Sequence, residues 1–415
     1  MTHCLKTKPV YWWVLCLAIF LISGSNFQEN KYPPGNWDRI IENQDFTSPL
    51  TLDSGDDNIL IIGSSFHDIL GDAIVMRNVS NVYIKDCSIY NIQGNGIVLR
   101  STGGTDKVTI EGCKIYDTQK NGIISKQNLD ENVNHTNLVI KNNILYNNGT
   151  HPLNHGIYVQ TQDAQVLNNE IYGSSGNGIS IRSSGVVSGN KVWDSFKSCI
   201  RYFNDNVKGS SDVLFIENNV CYLTLGGKLS PAIGLLWTND TPPEWAVAKY
   251  VIRFNTIVLY TSDRSGIVVE SREFDEKKVE IYGNIVVNTK SEENAIDGFY
   301  ADHLSGNYTS TSLDGFVSAL TDPLDFHLTS KSPAVNFANT EEEFPSQDID
   351  GLSRVKGSLD AGAYQFAGRD SGLQVETVGL SESDKLIKNI VIGSGILLLL
   401  VLGAVFTNKQ YNTLT

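Results

Sequence analysis

The feature that most constrains this chain is that its middle keeps repeating itself. LIIGSSFHDILGDAIVMR (60–77) returns as NVYIKDCSIYNIQGNGIVLR (81–100), KVTIEGCKIYDTQKNGIISK (107–126), NLVIKNNILYNNGTHPLNHGIYVQ (137–160), AQVLNNEIYGSSGNGISIR (164–182) and GVVSGNKVWDSFKSCIRYF (185–203), with looser copies to about residue 297. Each unit contains two short stretches with apolar residues at alternate positions, which is the period of a strand. A turn separates them, at Cys87, Cys113, Asn143, Asn169, Asn190, Asn219, Asn255 and Asn284. A third short stretch follows a small residue and an isoleucine: Ile74, Ile97, Ile123, Ile157, Ile179, Ile200, Ile233, Ile267 and Ile296, giving nine coils. One such coil cannot bury its own apolar face, but stacked coils bury a continuous core at a spacing of about 4.8 Å. Equivalent side chains then form ladders, and Asn ladders hydrogen-bond from coil to coil. A propeller needs blades of about 40–50 residues with four strands each, which these units are too short to supply.

The pattern resembles the right-handed parallel β-helix, the pectate-lyase-like superfold, over about residues 55–300; the handedness is what the resemblance implies. After it come Asp348-Ile349-Asp350-Gly351-Leu352-Ser353-Arg354 and Asp360-Ala361-Gly362-Ala363-Tyr364. This D-x-D-G-x-x-R … D-x-G-A-Y sequence is similar to the closing segment of secreted bacterial β-helix proteins. It is expected to cap the last coil, its aspartates pairing with Arg354 or with turn amides. No metal or other cofactor is expected, although Asp348, Asp350 and Asp360 are oxygen donors of the kind Ca²⁺ takes. Residues 30–55, with Trp37, Ile40, Ile41 and Phe46, are expected to cap the other end.

The ends read differently from the middle. Lys6 and Lys8 precede an apolar run, Val10–Ile22, that exits through Ser23, Gly24 and Ser25, which is the form of a secretory signal peptide. Ile390–Phe406 is a 17-residue run without charge, flanked by Lys388 and Lys409 and preceded by a polar, acidic stretch. The expected organisation is a signal peptide (1–25), a β-helix domain with caps (26–367), a polar stalk (368–388), a transmembrane helix (389–407) and a short tail (408–415), with the β-helix outside the cytoplasm as a monomer. Lys plus Arg is 32 against 46 Asp plus Glu, a net charge of −14, which argues against a nucleic-acid partner. Four cysteines outside the leader in so large a core are expected to be buried thiols rather than a disulfide scaffold.

Repeats let outward columns be read across coils. Three residues after each repeat isoleucine stand Arg77, Arg100, Lys126, Gln160, Arg182 and Phe203. Two before it stand Asp72, Asn95, Asn121, His155, Asn177 and Ser198, and one after it Tyr158 and Arg201 interrupt a small or apolar column. A basic stripe on an acidic protein suggests contact with an anionic polysaccharide, with Arg77, Arg100, Gln160, Arg201 and Trp237 as binding residues. Where stripe and broken ladder meet, a lyase is the enzyme expectation. His155 would be the base, Tyr158 the acid toward the leaving oxygen, and Lys126 and Arg182 the cations for the enolate. The non-enzyme alternatives are a surface binding or adhesion module using the same stripe, or a structural component. The resemblance gives limited support for catalysis. Ile123-Ile124-Ser125-Lys126 has its lysine one place earlier than chondroitinase-B/alginate-lyase-like enzymes do, and Gln160 stands where they carry Arg. The Asp pairs of polygalacturonase-like hydrolases and the epimerase-like Asp-Pro-His-Asp are absent from the sequence. A weaker candidate is the charged set Glu270, Arg272, Glu273 and Asp275; Trp245 is a second aromatic for sugar stacking.

Overall fold

A computed structural model describes residues 32–368 apart from 129–130, 205–211, 224–229, 238–246, 261–264, 271–277 and 292–294. The chain divides into two units, Met1–Phe366 and Ala367–Thr415. The two long apolar runs, 10–22 and 390–406, lie outside the described residues, and no helix among the described residues is long and apolar enough to cross a membrane.

The first unit is a parallel β-helix. Three sheets run its length, each strand pairing with its counterpart one coil on. The first sheet extends from Arg39–Glu42 to His303–Ser305, the second from Asp45–Phe46 to Tyr308–Ser310 and the third from Leu50–Leu52 to Ile296–Asp297. Residues 39–52 therefore form a coil of their own, with Leu50 paired to Ile74, where a cap was expected. Its register was obscured because Pro49-Leu50 replaces the small residue and isoleucine of the later coils.

Alternation decides what is inside. Ile97, Leu99, Ile179 and Ile181 are fully buried in one continuous core with the apolar residues in register with them; Ser125 is the one polar residue in those columns, and the end residues Leu50 and Ile296 are partly buried. The turn from the first to the second sheet uses a left-handed residue in each coil: Asn43, Gly63, Asp86, Gly112, Asn142, Asn168, Gly189, Asn218, Phe254, Gly283 and Gly306, with φ between 50° and 69°. Gly, Asn and Asp tolerate this region, whereas a bulky residue such as Phe254 is strained there. Phe254 is held by cover, with the Arg354 guanidinium 4.4 Å over its ring.

Directly after that turn residue sits the inner ladder. From Asn143 through Asn169, Asn190, Asn219, Asn255 and Asn284 to Asn307, each backbone N–H and side-chain Nδ2 donates to the next Oδ1 at 2.8–3.0 Å. Each Nδ2 also donates to a carbonyl of the preceding coil, from Ile110 to Ile281. The earlier coils put Cys87 and Cys113 here as buried free thiols, as the sequence suggested.

The closing segment does not plug the last coil. It runs along the side of three coils: Arg354 Nη2 donates to Asn218 Oδ1 (2.8 Å), Ala363 N to Thr256 Oγ1 (2.9 Å) and Gly362 N to Gly283 O (2.8 Å). Beneath it, outward-facing Val220, Val258 and Val287 join Phe326, Leu359 and Tyr364 in a second, lateral core. The aspartates cap turns, as one expectation had it. Asp348 accepts from Asp350 N, Leu352 N and Gln365 N, and Asp360 from Asn336 N and Phe366 N. Asp350 is held by His327. Asp348 and Asp360 thus act as turn caps, and Asp350 as the partner of His327. Burial pushes Arg354 down to about 9, against the pull of Asp348.

Asn219→Ala is expected to lower stability by about 1–3 kcal/mol, because it strands buried donors and acceptors on both neighbouring coils. Gln165→Ala, outward on the first sheet, should change it by no more than about 0.5 kcal/mol. Urea titration of both variants measures the difference, and Ile179→Asp should not fold at all.

Candidate functional site

The outward face of the third sheet carries the residues singled out above. Its middle column runs in register through Thr51, Val75, Val98, Ile124, Tyr158, Ser180, Arg201 and Gly234. Beside it the backbone ladder continues through Arg77, Arg100, Lys126, Gln160 and Arg182, whose N–H groups donate to Leu52, Met76, Leu99, Ser125 and Val159. The basic stripe is therefore a true column. On the opposite side runs a second polar ladder: Asn95 donates to Asp72, Asn121 to Asn95 Oδ1, His155 N to Asn121 Oδ1 (2.8 Å), Asn177 N to His155 Nδ1 (3.0 Å) and Ser198 N to Asn177 Oδ1 (3.2 Å).

The face divides at Tyr158. Before it lies an open groove with a floor of Thr51, Val75, Val98 and Ile124. It holds a cavity of about 630 Å³ beside Arg77 and Arg100 and a smaller one of about 250 Å³ beside Arg100, Lys120 and Lys126. Arg77 pairs with Asp53 (2.7 Å) and Arg100 with Asp72, while both arginine side chains remain nearly half exposed. Lys120 and Lys126 are exposed.

From Tyr158 onward side chains fill the face. The Tyr158 ring stacks on His155 with centroids 5.6 Å apart, and its hydroxyl accepts from Gln160 Nε2 (2.9 Å). The Arg182 guanidinium lies 4.9 Å from the Tyr158 ring and 4.0 Å from that of Phe203. Arg201 lies against the other side of the cluster, 5.4 Å from Phe203, and is paired with Glu270. It reaches Glu270 across Gly234, where a Cβ would come within 2.6 Å of Arg201 Nη1. Ser180 points outward, as alternation requires, yet is fully buried; Arg182 and Arg201 are 7% exposed. The Tyr158 and Gln160 level thus stands between Lys126 and Arg182, which were expected to serve one enolate.

His155 is 4% exposed. Its Nδ1 lone pair accepts the Asn177 N–H, so the neutral ring carries its proton on Nε2. Burial, then Arg182 and Lys197, push it down to about 3. That position gives it the ladder role of asparagine and leaves it poorly suited to take a proton near neutral pH. Trp237 requires a correction: parity from Ile233 and Leu235 turns it inward, it is 6% exposed and it belongs to the core, so it offers no face to a sugar. Trp245, Arg272, Glu273 and Asp275 lie outside the described residues.

Two features escaped the sequence reading. Lys120 and Lys197, each three residues before a repeat isoleucine, stand on the far wall of the face; burial, then Arg201 and Arg182, hold Lys197 below the ordinary lysine range. On the second sheet, Tyr90, Tyr116, Tyr146, Tyr172, Trp193 and Tyr222 stack face to face with centroids 4.5–5.4 Å apart. The recurring Ile-Tyr of the units is their signal. Their faces are spent on one another, which makes the stack a brace between coils.

Residues 18–220 match a family model described as the right handed beta helix region. The coils described above are those of a right-handed parallel β-helix. Among solved structures it is similar to pectate lyase Pel9A (13% identity, covering 81% of this chain and 84% of that one, TM-score 0.48). It is also similar to the A-module of mannuronan C-5 epimerase AlgE4 from Azotobacter vinelandii (14%, 61% and 60%, 0.43) and to the tailspike protein gp49 of Pseudomonas phage LKA1 (14%, 66% and 46%, 0.38). These are likenesses of fold. Among proteins with curated descriptions, none matches the sequence.

The unfolded chain takes up a proton that buried His155 refuses, so His155 costs stability as pH falls from about 6.5 towards 3. His155→Asn restores the residue of the neighbouring coils. It should keep the fold and reduce the loss of urea midpoint between about pH 7 and about pH 5 relative to the unsubstituted protein.

Proposed function

We propose that this protein binds an extended anionic polysaccharide along the helix axis, in the groove over Thr51–Lys126, and that it recognises the glycan without cleaving it. The observation that carries the reading is the wall of that groove. Arg77, Arg100 and Lys126 supply one cation per coil, about 4.8 Å apart, beside a largely aliphatic floor and opposite Lys120. On a chain of net charge −14 this is a local reversal of sign. Asp53 and Asp72 offset two of these charges, but with Lys120 the four cations still outnumber the two carboxylates, and both arginine side chains remain nearly half exposed to a ligand carboxylate.

A lyase reading, with His155 as base and Tyr158, Lys126 and Arg182 around it, has weaker support. It asks for proton abstraction by an imidazole that is buried and hydrogen-bonded at Nδ1, and it draws Lys126 from a different part of the face. Arg100→Ala should weaken binding of a uronate oligomer by about 5–30-fold, the effect of losing a charge-assisted hydrogen bond. Binding should also weaken with added salt. Calorimetry at two salt concentrations measures both, and an unchanged affinity would make the column a solvated face.

We also propose that the protein is exported and held to a membrane by its C-terminal apolar run. The support is in the sequence alone: a basic start and apolar run ending in small residues, and Ile390–Phe406 after a polar stretch. Deleting residues 390–415 should move the protein from the membrane fraction to the soluble exported fraction on immunoblotting; retention would point to Val10–Ile22 as the anchor.

A further inference from the structure

We infer that the groove takes the end of a glycan chain and not a stretch of its interior, an inference that rests on the binding reading above. The column forming the floor decides this. Thr51, Val75, Val98 and Ile124 are short enough to leave a channel over four successive coils, about 14 Å at the spacing of parallel strands. The next residue in register is Tyr158. Its ring is fixed on both sides, by His155 at 5.6 Å and by the Arg182 guanidinium at 4.9 Å, and its hydroxyl is bonded by Gln160. Beyond it the floor is closed: Ser180 is fully buried, and Arg201 lies across Gly234 to Glu270. A chain running along the axis meets a wall one coil past Ile124.

The smaller cavity, of about 250 Å³, lies over Val98 and Ile124, the last levels of the floor before Tyr158. The small pocket concentrates the recognition chemistry. Arg100, Lys120 and Lys126 line it with three cations, beside the largely buried ladder residues Asn95 and Asn121. Such a set suits the single terminal sugar of an acidic chain: its carboxylate between the lysines, its hydroxyls toward the amides, and one face on the aliphatic floor. The larger, shallower space toward the first coil takes the following sugars, with Arg77 as the next cation.

The test uses oligouronates as the probes and the full chain as the protein. Terminal recognition predicts that a trimer and a decamer bind within about threefold of each other, and that a polymer of a hundred sugars still carries one protein per chain, because added interior residues create no new site. Light scattering with calorimetry reads both quantities. Two further probes, one reduced at its reducing end and one modified at its non-reducing end, identify the recognised terminus: one of them should lose binding by about tenfold or more. Affinity rising steadily with length, several proteins on one polymer, or indifference to both end modifications would overturn terminal recognition while leaving the groove as the binding site. Absence of salt-dependent binding to every oligomer would remove the binding reading and this inference together.

Discussion

The hydrogen bond from each coil to the next underlies every other feature of the molecule. No coil has an independent core, and none can satisfy its own backbone. Its N–H and C=O groups are completed by the coils above and below, as in any parallel sheet. The asparagines from Asn143 to Asn307 extend that rule into the turns, where a buried side chain stands in for a missing backbone partner. Because Oδ1 accepts from one neighbour while Nδ2 donates to another, the ladder tolerates little change in coil-to-coil distance. In the earlier coils, where Cys87 and Cys113 hold the ladder position, backbone bonds keep the outward columns in register, and the column of Arg77, Arg100 and Lys126 follows from them.

The left-handed turn residues are the local counterpart of that ladder. Gly, Asn and Asp hold nearly all of these positions, and the exception, Phe254, lies where the closing segment covers the turn with Arg354 and Phe344. Strain in one coil is thus offset by packing from a distant part of the chain. The same segment buries the outward valines at positions 220, 258 and 287, which would otherwise form an exposed apolar stripe. Lateral cover and coil stacking are separate devices, and the first is needed only where the outward residues cease to be the self-stacking aromatics that end at Tyr222.

The repeat made most of the fold legible, because period-two alternation and the recurring isoleucines report parity directly. The inward position of Trp237 was legible by the same rule, four residues after Ile233, but the rule was not carried past the strand. The column of Arg77, Arg100, Lys126 and Arg182 was also legible. Exposure was not: outward means accessible only if the neighbours leave room, and Ser180 is buried although it points out. His155 illustrates the same limit in chemistry. Its break from asparagine was visible, but its protonation depends first on burial, then on Arg182 and Lys197, and its tautomer on the Asn177 N–H, none of which the column shows.

A stacked fold turns single substitutions into architectural decisions. In the floor column, Val75, Val98 and Ile124 leave space above the sheet, and Tyr158 at the next level occupies it. The backbone there is no different, since Tyr158 pairs with Ile124 and Ser180 in the common register. What changes is the side chain and what it recruits: His155 beneath the ring, Arg182 over it, Phe203 behind the guanidinium. His155 comes from the same coil, Arg182 from the next and Phe203 from the one after, each at the position the repeat assigns. The open groove and the closed cluster are therefore made from one repeat, and the boundary between them is set by which residue occupies one column.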